Sequence, residues 1–474
     1  MGFRNVFASG KSLIFLLIAG LTSVVGSVSK ANLTEKLQQR PLTNSSASPS
    51  SDTNPTDLLK SPVKVRILKS YSQVVISGFG LRVNDSSELF DGSILPVKRK
   101  VRLQKNENGW LITNVDADKK LQIDFLEKIE VTGDLLKINE VSAPNKLTFL
   151  KKNNVFEVIA TLEMDEYLKG VLPSEMPIAW PLEAFKAQAI AARSYVLSVM
   201  QEKKEDSYHV DDTVLHQVYK LSNFNLASPS HQEKIERAIL ETRNQYLTLK
   251  SGRPFKAYFH SDCGGATEEP KNVWGDHRNY GTVSDERCRL NPLSSWSSEI
   301  SKSELEKTIR RFFALNASDE ILDIRVRSHT STGRIYDLEI DTMSESGGVA
   351  NHILPSQIFR QLFGFNRVKS TNFNMVYSAK SGLQLSGRGH GHGTGMCQKG
   401  ARFMALAGSQ YKEIVKRYYP NAELREGVTE HFAQIKRQDL SERTVILKRE
   451  SDDSESVANR KTVKESNLAY ESDL

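Results

Sequence analysis

The sequence contains few cysteines and, beyond its N-terminal region, no long apolar segment. Three cysteines occur among 474 residues, and none of them lies near the N-terminus. A lipid anchor on an N-terminal cysteine is therefore not expected. A membrane-spanning helix needs about 20 consecutive apolar residues, and no segment after Ala31 approaches that length. We expect the mature chain to be soluble or attached to a surface outside the cytoplasm.

The sequence also lacks the fingerprints of several common enzyme classes. The glycine-rich stretch "GRGHGHGTG" has neither the strand–GxxxxGK[ST]–helix context nor the GxGxxG spacing of phosphate-binding loops. No Gly-x-Ser-x-Gly elbow surrounds Ser261, which argues against a serine hydrolase. A nucleophilic pair of Cys263 and His260 lacks an evident third orienting group.

The N-terminus has the composition of an export signal. Arg4 and Lys11 accompany the apolar run "SLIFLLIAGLTSVVG", and small residues suited to cleavage extend to Ala31. This pattern predicts a signal peptide over residues 1–31, with an uncleaved membrane anchor as the alternative. Residues 32–62 are rich in Ser, Asn, Thr and Pro and predict a disordered linker. We therefore expect export to the periplasm or cell envelope.

The charge balance is basic, with a formal net charge of +7. Anionic polymers of the cell envelope are the expected partners of a basic exported protein, and a solvated basic face is the alternative. Nucleic acid is not an expected partner because export argues against it. Residues 426–474 are charged and poor in aromatics, so they predict a disordered tail.

The folded region is predicted to be α+β. Residues 63–150 contain short alternating segments such as "VKVRIL" and "KVRLQ", which predict a β-rich N-terminal module. Residues 151–425 predict a mixed catalytic core around a central alanine-rich helix, "WPLEAFKAQAIAARSYVLSVM". Within this core, "ILDIRVRSHTSTGRIYDLEID" predicts a hairpin and "LPSQIFRQLFG" a short helix. A strand pair is predicted for "YLTLKSGRPFKAYFHSDCGGATE".

One glutamate is set between two prolines in "LPSEMP", just before the alanine-rich helix. Because proline restricts its own backbone and that of the preceding residue, we expect the preceding helix to stop at Pro173 and Glu175 to lie on a stiff, non-helical loop. Lys186 and Arg193 are seven residues apart on the next helix and so share one of its faces. Small neighbours would partly bury Arg193, and a buried arginine needs an anionic partner.

The cysteines and histidines leave several alternatives open. Cys263 and Cys288 form the most local cysteine pair, and we expect them to lie close enough to share a disulfide or a metal ion. Cys397 would then be a free thiol or a further ligand. No metal site is assigned, but zinc is allowed, with His260, Cys263 and Cys288 as candidate ligands. A metal pair of His390 and His392 lacks a third ligand at the usual spacing.

Four blocks together resemble a known family. They are "LEMDEYLKGVLPSEMPIAWPLEAFKAQAIAARSYVL", "HSDCGGATE", "GRGHGHGTGMCQKGARFMA" and "YYPNAEL", and their order is similar to that of the stage II sporulation protein D (SpoIID) family. The resemblance covers about Val63 to Leu424. The chain departs from the family in "MCQ", where serine is common before the glutamine.

The resemblance implies a peptidoglycan lytic transglycosylase that cleaves MurNAc–GlcNAc bonds of peptide-stripped glycan and leaves 1,6-anhydroMurNAc ends. It implies that Glu175 is the catalytic acid and that Lys186 and Arg193 support the site. It also implies that the "HSDCGG" and "GHGHGTGMCQ" segments line the cleft and bind substrate through His260, Ser261, Gly264, Gly265, His392 and Gln398. No cofactor is required by this chemistry, although some relatives carry zinc.

Two other functions remain open at this point. The first is a non-catalytic wall-binding protein that stimulates an N-acetylmuramoyl-L-alanine amidase, and the second is a metal-dependent wall hydrolase. A wall amidase acting upstream would also supply the stripped strands. Removing the stem peptide leaves a free lactyl carboxylate on muramic acid, and we hypothesise that Lys186 and Arg193 bind this carboxylate.

Overall fold

The computed structural model describes residues 55–83, 98–105, 109–115, 119–124, 127–153, 155–214 and 216–426. The predicted signal peptide, most of the predicted linker and the tail beyond Glu426 lie outside these ranges. None of the helices within them is both long and apolar enough to cross a membrane. The described end of the linker corrects one prediction, because helix α1, Pro55–Lys60, forms there. Leu58 of this helix is 5% exposed, so burial of its side chain holds the segment in place.

The described strands follow one another in this order: β1 Val63–Tyr71, β2 Gln73–Val83, β3 Lys98–Lys105, β4 Gly109–Asn114, β5 Lys119–Asp124, β6 Lys128–Ile138, β7 Val141–Ser142, β8 Lys146–Lys152, β9 Val155–Leu162, β10 Val210–Asp211, β11 Gln245–Thr248, β12 Phe259–His260, β13 Ser295–Ser301, β14 Glu320–His329, β15 Ile335–Met343, β16 Val349–Pro355, β17 Phe373–Ser378, β18 Gly382–Arg388, β19 Met396–Cys397 and β20 Glu423–Glu426.

The described helices after α1 are α2 Met164–Glu175, α3 Leu182–Glu202, α4 Leu221–Asn225, α5 Pro229–Glu241, α6 Lys271–Trp274, α7 Glu286–Leu290, α8 Lys302–Phe313, α9 Ser356–Phe363, α10 Gln398–Leu406 and α11 Tyr411–Tyr418. A single 3-10 turn covers Pro292–Ser294. Helices and strands are both abundant and the strands form several sheets, which confirms the α+β class.

The chain divides into two compact units. The sheet unit comprises the described residues of 55–175, 192–256 and 423–426, and the cysteine unit comprises residues 176–191 and 257–422. Helix α3 contributes to both, since the division falls between Ala191 and Ala192.

The sheet unit is organised around one ten-stranded sheet. Its strand order is β10-β1-β9-β8-β6-β2-β3-β4-β5, with β7 paired to β6. Strand β9 pairs antiparallel with both β1 and β8, so the sheet continues past the predicted module boundary at residue 150. The apolar residues Phe156, Val158, Ile159 and Ala160 of β9 are buried, which favours this extension. Phe156 of β9 packs against Trp110 of β4, with ring centroids 5.5 Å apart.

The cysteine unit contains three smaller sheets. Their strand orders are β12-β19, β13-β18-β17 and β14-β15-β16. The predicted hairpin is confirmed as β14 and β15, and the predicted short helix is α9. The predicted strand pair before the first glycine turn is confirmed only as a short contact, the antiparallel Thr248–Pro254 bridge, whereas the strands β11 and β12 pair with β20 and β19. Local alternation identified each of these short strands but carried no information on its distant partner.

The alanine-rich segment forms α3, Leu182–Glu202, as predicted. Pro181 lies just before its first residue and Glu183 lies in its first turn, where an acidic side chain favours the helix dipole. Residues 184–200 are all buried, so the face that Lys186 and Arg193 share is covered as well. Alanine at four positions in "AQAIAA" leaves room for neighbouring segments to pack on every side of the helix.

His209 should make the stability of the sheet unit depend on pH. Its Nδ1 accepts the Lys64 N–H at 3.1 Å beside β1. Burial, followed by the charges of Lys64 and Lys203, lowers the pKa of His209 to about 4. The unfolded chain binds this proton near pH ~6.5, so it binds more protons than the folded chain between the two values. The free energy of unfolding should therefore decrease as the pH falls through this window.

The variant His209→Asn should flatten that dependence, because its side-chain oxygen can accept the same N–H without titrating. Urea unfolding of both proteins at several pH values between about 7 and 4 measures the effect. If the free energy of unfolding changes with pH equally in the variant and in the original protein, a group other than His209 causes that change.

Candidate functional site

Glu175 is the last residue of helix α2. The expectation of a non-helical loop is wrong, because α2 continues through Pro173 to Glu175. Proline has no main-chain N–H and so removes one hydrogen bond of the helix, and the helix ends two residues after Pro173. The Ser174 hydroxyl donates to the Gly170 carbonyl at 2.6 Å in the same turn. Glu175 is therefore held by a helix terminus, with its side chain half-buried.

A neighbouring segment fixes the Glu175 carboxylate. The Val218 N–H donates to Glu175 Oε1 at 2.6 Å. On either side of Val218, Gln217 accepts from the buried Tyr167 hydroxyl, and Tyr219 stacks on the Tyr167 ring with centroids 5.9 Å apart. A Cβ at Gly170 would lie 2.2 Å from the Tyr219 ring, so only glycine allows this approach. This segment could not be identified from the sequence, because nothing in its pattern shows that it packs against α2.

Arg193 occupies a structural position in the sheet unit. It is 1% exposed, and its Nη1 donates to the Thr242 carbonyl at 2.9 Å and to the Gln245 carbonyl at 3.0 Å. These carbonyls lie just after α5 and at the start of β11. Burial lowers the pKa of Arg193 to about 10, which leaves it charged at neutral pH. Arg193 was expected to face a substrate carboxylate. Its guanidinium is instead buried against main-chain carbonyls.

Lys186 belongs to the cysteine unit and already has an anionic partner. Its Nζ lies 2.6 Å from Glu183 Oε1 and 5.5 Å from the centre of the Tyr411 ring. Glu183 Oε2 in turn accepts the Tyr411 N–H at 2.9 Å. Lys186 is therefore part of a contact between α3 and the start of α11. This geometry gives no support to the hypothesis that Lys186 binds the lactyl carboxylate.

The two glycine-rich segments cross within the cysteine unit. Asp262 and His390 form an antiparallel bridge, in which each N–H donates to the other's carbonyl. Gly264 follows with φ +70°, and a Cβ there would lie 2.9 Å from the Arg388 main chain. Only glycine permits both this conformation and this approach. The structure thus brings together the two segments that the family resemblance assigns to a cleft.

His260 and His392 lie side by side at this crossing. Their ring centroids are 5.6 Å apart, and His260 Nδ1 is 3.0 Å from the Thr394 carbonyl oxygen. His392 Nδ1 accepts the Thr394 N–H at 3.1 Å. Burial, followed by the neighbouring His260, holds the pKa of His392 well below its usual range. His392 is therefore neutral at physiological pH.

An aromatic platform adjoins His392. Trp274 stacks on Tyr258 with centroids 4.3 Å apart and an interplanar angle of 19°, and its ring lies 4.7 Å from that of His392. Trp274 is half-buried, so part of the indole remains accessible. Aromatic faces pack well against the C–H groups of a sugar ring, since the face is electron-rich. Trp274 was not among the predicted residues, because an isolated tryptophan in "NVWGD" carries no signal beyond its residue type.

The remaining predicted residues of these segments differ in accessibility. Gln398 is buried, and its Nε2 lies 3.3 Å from Gln188 Oε1, which makes it a packing residue of α10 against α3. Gly265 is also buried, and its carbonyl accepts the Asp285 N–H at 2.8 Å. Ser261 is half-buried, and its carbonyl accepts the Lys399 N–H at 3.0 Å.

The three cysteines converge in the interior of the cysteine unit. One ligand atom from each of Asp262, Cys263, Cys288 and Cys397 lies within 4.8 Å of the others, and all four residues are buried. The expected proximity of Cys263 and Cys288 is confirmed, and Cys397 joins them. His260 is not a member of this group of four. Its Nδ1 instead faces the Thr394 carbonyl.

The three cysteines of this cluster differ in the direction in which their pKa values are shifted. Hydrogen bonds from the Cys288 and Cys397 thiols lower the pKa of Cys263. The hydrogen bond to Cys263 raises the pKa of Cys288, and burial raises that of Cys397. The pKa of Cys263 therefore lies below those of Cys288 and Cys397.

The candidate residues thus fall into two sets. Glu175 and Arg193 belong to the sheet unit, whereas Lys186, His260, Ser261, Gly264, Gly265, His392 and Gln398 belong to the cysteine unit. In chemical terms, the first set offers one oriented carboxylate. The second offers an aromatic surface beside the neutral His392 and, separately, a buried group of cysteines.

Two family models match this chain. One, described as stage II sporulation protein, matches residues 152–249, and the other, described as a domain of unknown function, matches residues 285–395. The first contains Glu175 and the segment that fixes it. The second contains Cys288, the hairpin β14–β15 and His392.

Several known proteins are similar over long stretches. An uncharacterized protein of Brachyspira hyodysenteriae is 28% identical over 368 residues, which cover 77% of this chain and 88% of that protein. Stage II sporulation protein D of Bacillus subtilis is 28% identical over 304 residues, covering 62% of this chain and 82% of that protein. The amidase enhancer of Bacillus subtilis is 28% identical over 298 residues, covering 54% of this chain and 40% of that protein.

Proposed function

Because this chain belongs to the stage II sporulation protein D family, we propose that it acts on cell-wall peptidoglycan as a lytic transglycosylase. The substrate is the MurNAc–GlcNAc bond of glycan strands without stem peptides, and the product end is 1,6-anhydroMurNAc. This substrate lies outside the cytoplasm, so the proposal includes export through the N-terminal segment. A wall amidase would act before this protein by removing the stem peptides.

The proposed reaction needs one carboxyl group in two successive roles. Glu175 first donates its proton to the leaving glycosidic oxygen as positive charge develops at C1 of the muramic acid. The resulting carboxylate then accepts a proton from the 6-hydroxyl of the same sugar. That oxygen attacks C1, closes the anhydro ring and leaves Glu175 protonated for the next cycle. No water molecule is consumed.

The observation that carries this proposal is the way Glu175 is held. Its carboxylate sits at a helix terminus, and the Val218 N–H fixes Oε1. The Val218 segment is in turn held by Tyr167 and by the stacked Tyr219. A proton donor that must act on two atoms of one sugar needs such a fixed position, because misplacement by about 1 Å can cost 10²-fold in rate.

Mass spectrometry of the products tests the reaction type. Purified glycan strands treated with an amidase should yield fragments that each lack one water relative to hydrolysis products. Fragments with ordinary reducing ends would replace the proposed reaction with hydrolysis. Intact strands would remove the proposed enzymatic activity altogether.

The amidase enhancer among the relatives favours a second candidate function. In this alternative the chain binds the wall and stimulates an N-acetylmuramoyl-L-alanine amidase without cleaving glycan. Release of stem peptides by such an amidase, measured with and without this protein, separates the two. Stimulation that persists in a Glu175→Gln variant, together with intact glycan, would support the second function.

Trp274 offers a test of glycan binding that is independent of bond cleavage. We expect Trp274→Ala to weaken binding to amidase-treated strands by up to about tenfold, since an aromatic contact contributes about 0.5–1.5 kcal/mol. Trp274→Phe keeps an aromatic face and should retain most of the affinity. Sedimentation with insoluble glycan measures both. Equal affinity of the Ala variant and the original protein would remove Trp274 from the proposed binding surface.

A further inference from the structure

We propose that Cys263, Cys288, Cys397 and Asp262 form a closed site for a thiophilic divalent metal ion of the Zn²⁺ class. The ion would hold together three segments of the cysteine unit and would take no part in glycan cleavage. The inference stands apart from the proposed function, because neither Glu175 nor any substrate enters into it.

The spacing of the donor atoms is that of a tetrahedral thiolate site. Two sulfurs bound to one Zn²⁺ at about 2.3 Å lie about 3.8 Å apart at tetrahedral angles. The Cys288 and Cys397 sulfurs are 3.6 Å apart, and the Asp262 and Cys263 ligand atoms complete the group. The donors come from distant parts of the chain, namely the turn after β12, helix α7 and the end of β19.

Main-chain N–H groups already surround the sulfurs. Cys397 Sγ accepts from the Cys263 N–H at 3.2 Å and from the Gly400 N–H at 3.3 Å, while Cys263 Sγ accepts from the Gly265 N–H at 3.5 Å. Cys397 is also the N-cap of α10, whose N-terminus favours a negative charge. Such donors stabilise thiolates, which are the form that binds metal. A packed neutral thiol would have no need of them.

The charge around the group matches a bound divalent ion. A divalent ion among three thiolates and one carboxylate leaves two negative charges. Lys399 Nζ lies 2.8 Å from Asp262 Oδ2, and the buried Arg334 donates from Nη2 to the Cys263 carbonyl at 2.6 Å. Arg334 Nη1 is buried and has no hydrogen-bond partner among the described residues. The two cations balance the site, and Arg334 is easier to explain beside an anionic metal–thiolate group than beside neutral thiols.

Asp262 can act as the fourth ligand while keeping its present contacts. Its Oδ1 accepts the Gly264 N–H at 2.8 Å, and its Oδ2 accepts from the Ser294 hydroxyl at 2.6 Å and from Lys399. A carboxylate oxygen has two lone pairs, so Oδ1 can bind a metal ion as well. Burial of all four donors leaves no open position for substrate. These features indicate a structural rather than a catalytic metal site.

Metal analysis of the full-length chain, purified without chelators, tests the site directly. We expect about one zinc per chain, thiols that react with a thiol reagent only after chelation, and a lower unfolding temperature once the metal is removed. Replacement by Co²⁺ should produce the intense near-ultraviolet thiolate-to-cobalt absorption of a sulfur-rich tetrahedral site. A chain without metal, whether its thiols are free or two of them form a disulfide, would overturn the proposal.

Two variants assign the ligands. Cys288→Ser should weaken Co²⁺ binding at least tenfold and reduce the thiolate-to-cobalt absorption. The matched control Ser294→Ala removes a hydrogen bond to Asp262 but no proposed ligand, so it should keep the metal and the spectrum. Unchanged metal affinity and absorption in Cys288→Ser would refute this ligand set. If Cys288→Ser fails to fold, the metal content and cobalt spectrum of the original chain decide the question.

Discussion

Replacing Glu175 by Gln is expected to slow glycan cleavage by about 10²–10⁴-fold while leaving folding and glycan binding nearly unchanged. The amide keeps the size of the side chain, and its oxygen can still accept the Val218 N–H that now holds Oε1. It cannot donate a proton to the leaving oxygen or accept one from the 6-hydroxyl. Release of anhydro fragments from amidase-treated strands measures the rate, and sedimentation with glycan measures binding.

Glu166→Gln on the same helix is the matched control. Glu166 is exposed and pairs with the half-buried Lys169, and ion pairs near the surface contribute only about 0–1 kcal/mol to stability. The control should cleave glycan at the original rate. If Glu175→Gln also cleaves at that rate, Glu175 is not the proton donor, and stimulation of an amidase becomes the leading function.

The second large effect is expected at Arg193 and concerns stability. Arg193→Lys should lower the free energy of unfolding by about 2–4 kcal/mol. The lysine side chain ends one bond short of Nη1, which now serves the Thr242 and Gln245 carbonyls together. Those carbonyls would remain buried without a donor, and an ammonium group is more costly to bury than a guanidinium. Urea unfolding followed by circular dichroism measures the loss.

Arg237→Lys provides the comparison, because Arg237 pairs with Glu241 on an exposed face of α5. The comparison variant should lose less than about 1 kcal/mol. Activity on glycan with and without stem peptides gives an independent check on Arg193. A structural role predicts equal proportional losses on both substrates, at temperatures where the variant stays folded. A selective loss on stripped strands with unchanged stability would restore Arg193 as a ligand of the lactyl carboxylate.

The parts of the fold that could be predicted from the sequence are those fixed by neighbouring residues. Helix α3 and the β14–β15 hairpin follow from local periodicity, and neither depends on residues far away in the chain. The pairings of β11 with β20 and of β12 with β19 join segments far apart in the chain. Local alternation identifies a strand but cannot select such a partner, so these pairings could not be predicted.

The same distinction applies to the candidate site. The cysteines attract attention by their rarity, which allowed the proximity of Cys263 and Cys288 to be predicted. That Asp262 joins them in place of His260 depends on side-chain directions at a crossing of two distant segments. The prediction for Arg193 was misled by residue type. An arginine suggests an anionic ligand, but Arg193 is buried and donates to two main-chain carbonyls. Sequence spacing identified the face of the helix but not what covers it.

The pairing of β11 with β20 also constrains how the protein is made. Strand β20, Glu423–Glu426, belongs to the sheet unit but follows the whole cysteine unit in the chain. During synthesis, β11 must therefore wait for its partner until more than a hundred further residues have left the ribosome. The cysteine unit has its complete set of sulfur donors before that moment, because Cys397 precedes β20. The ten-stranded sheet need not wait, since its last strand ends at Asp211, so only the two-stranded β11–β20 sheet depends on the last described strand.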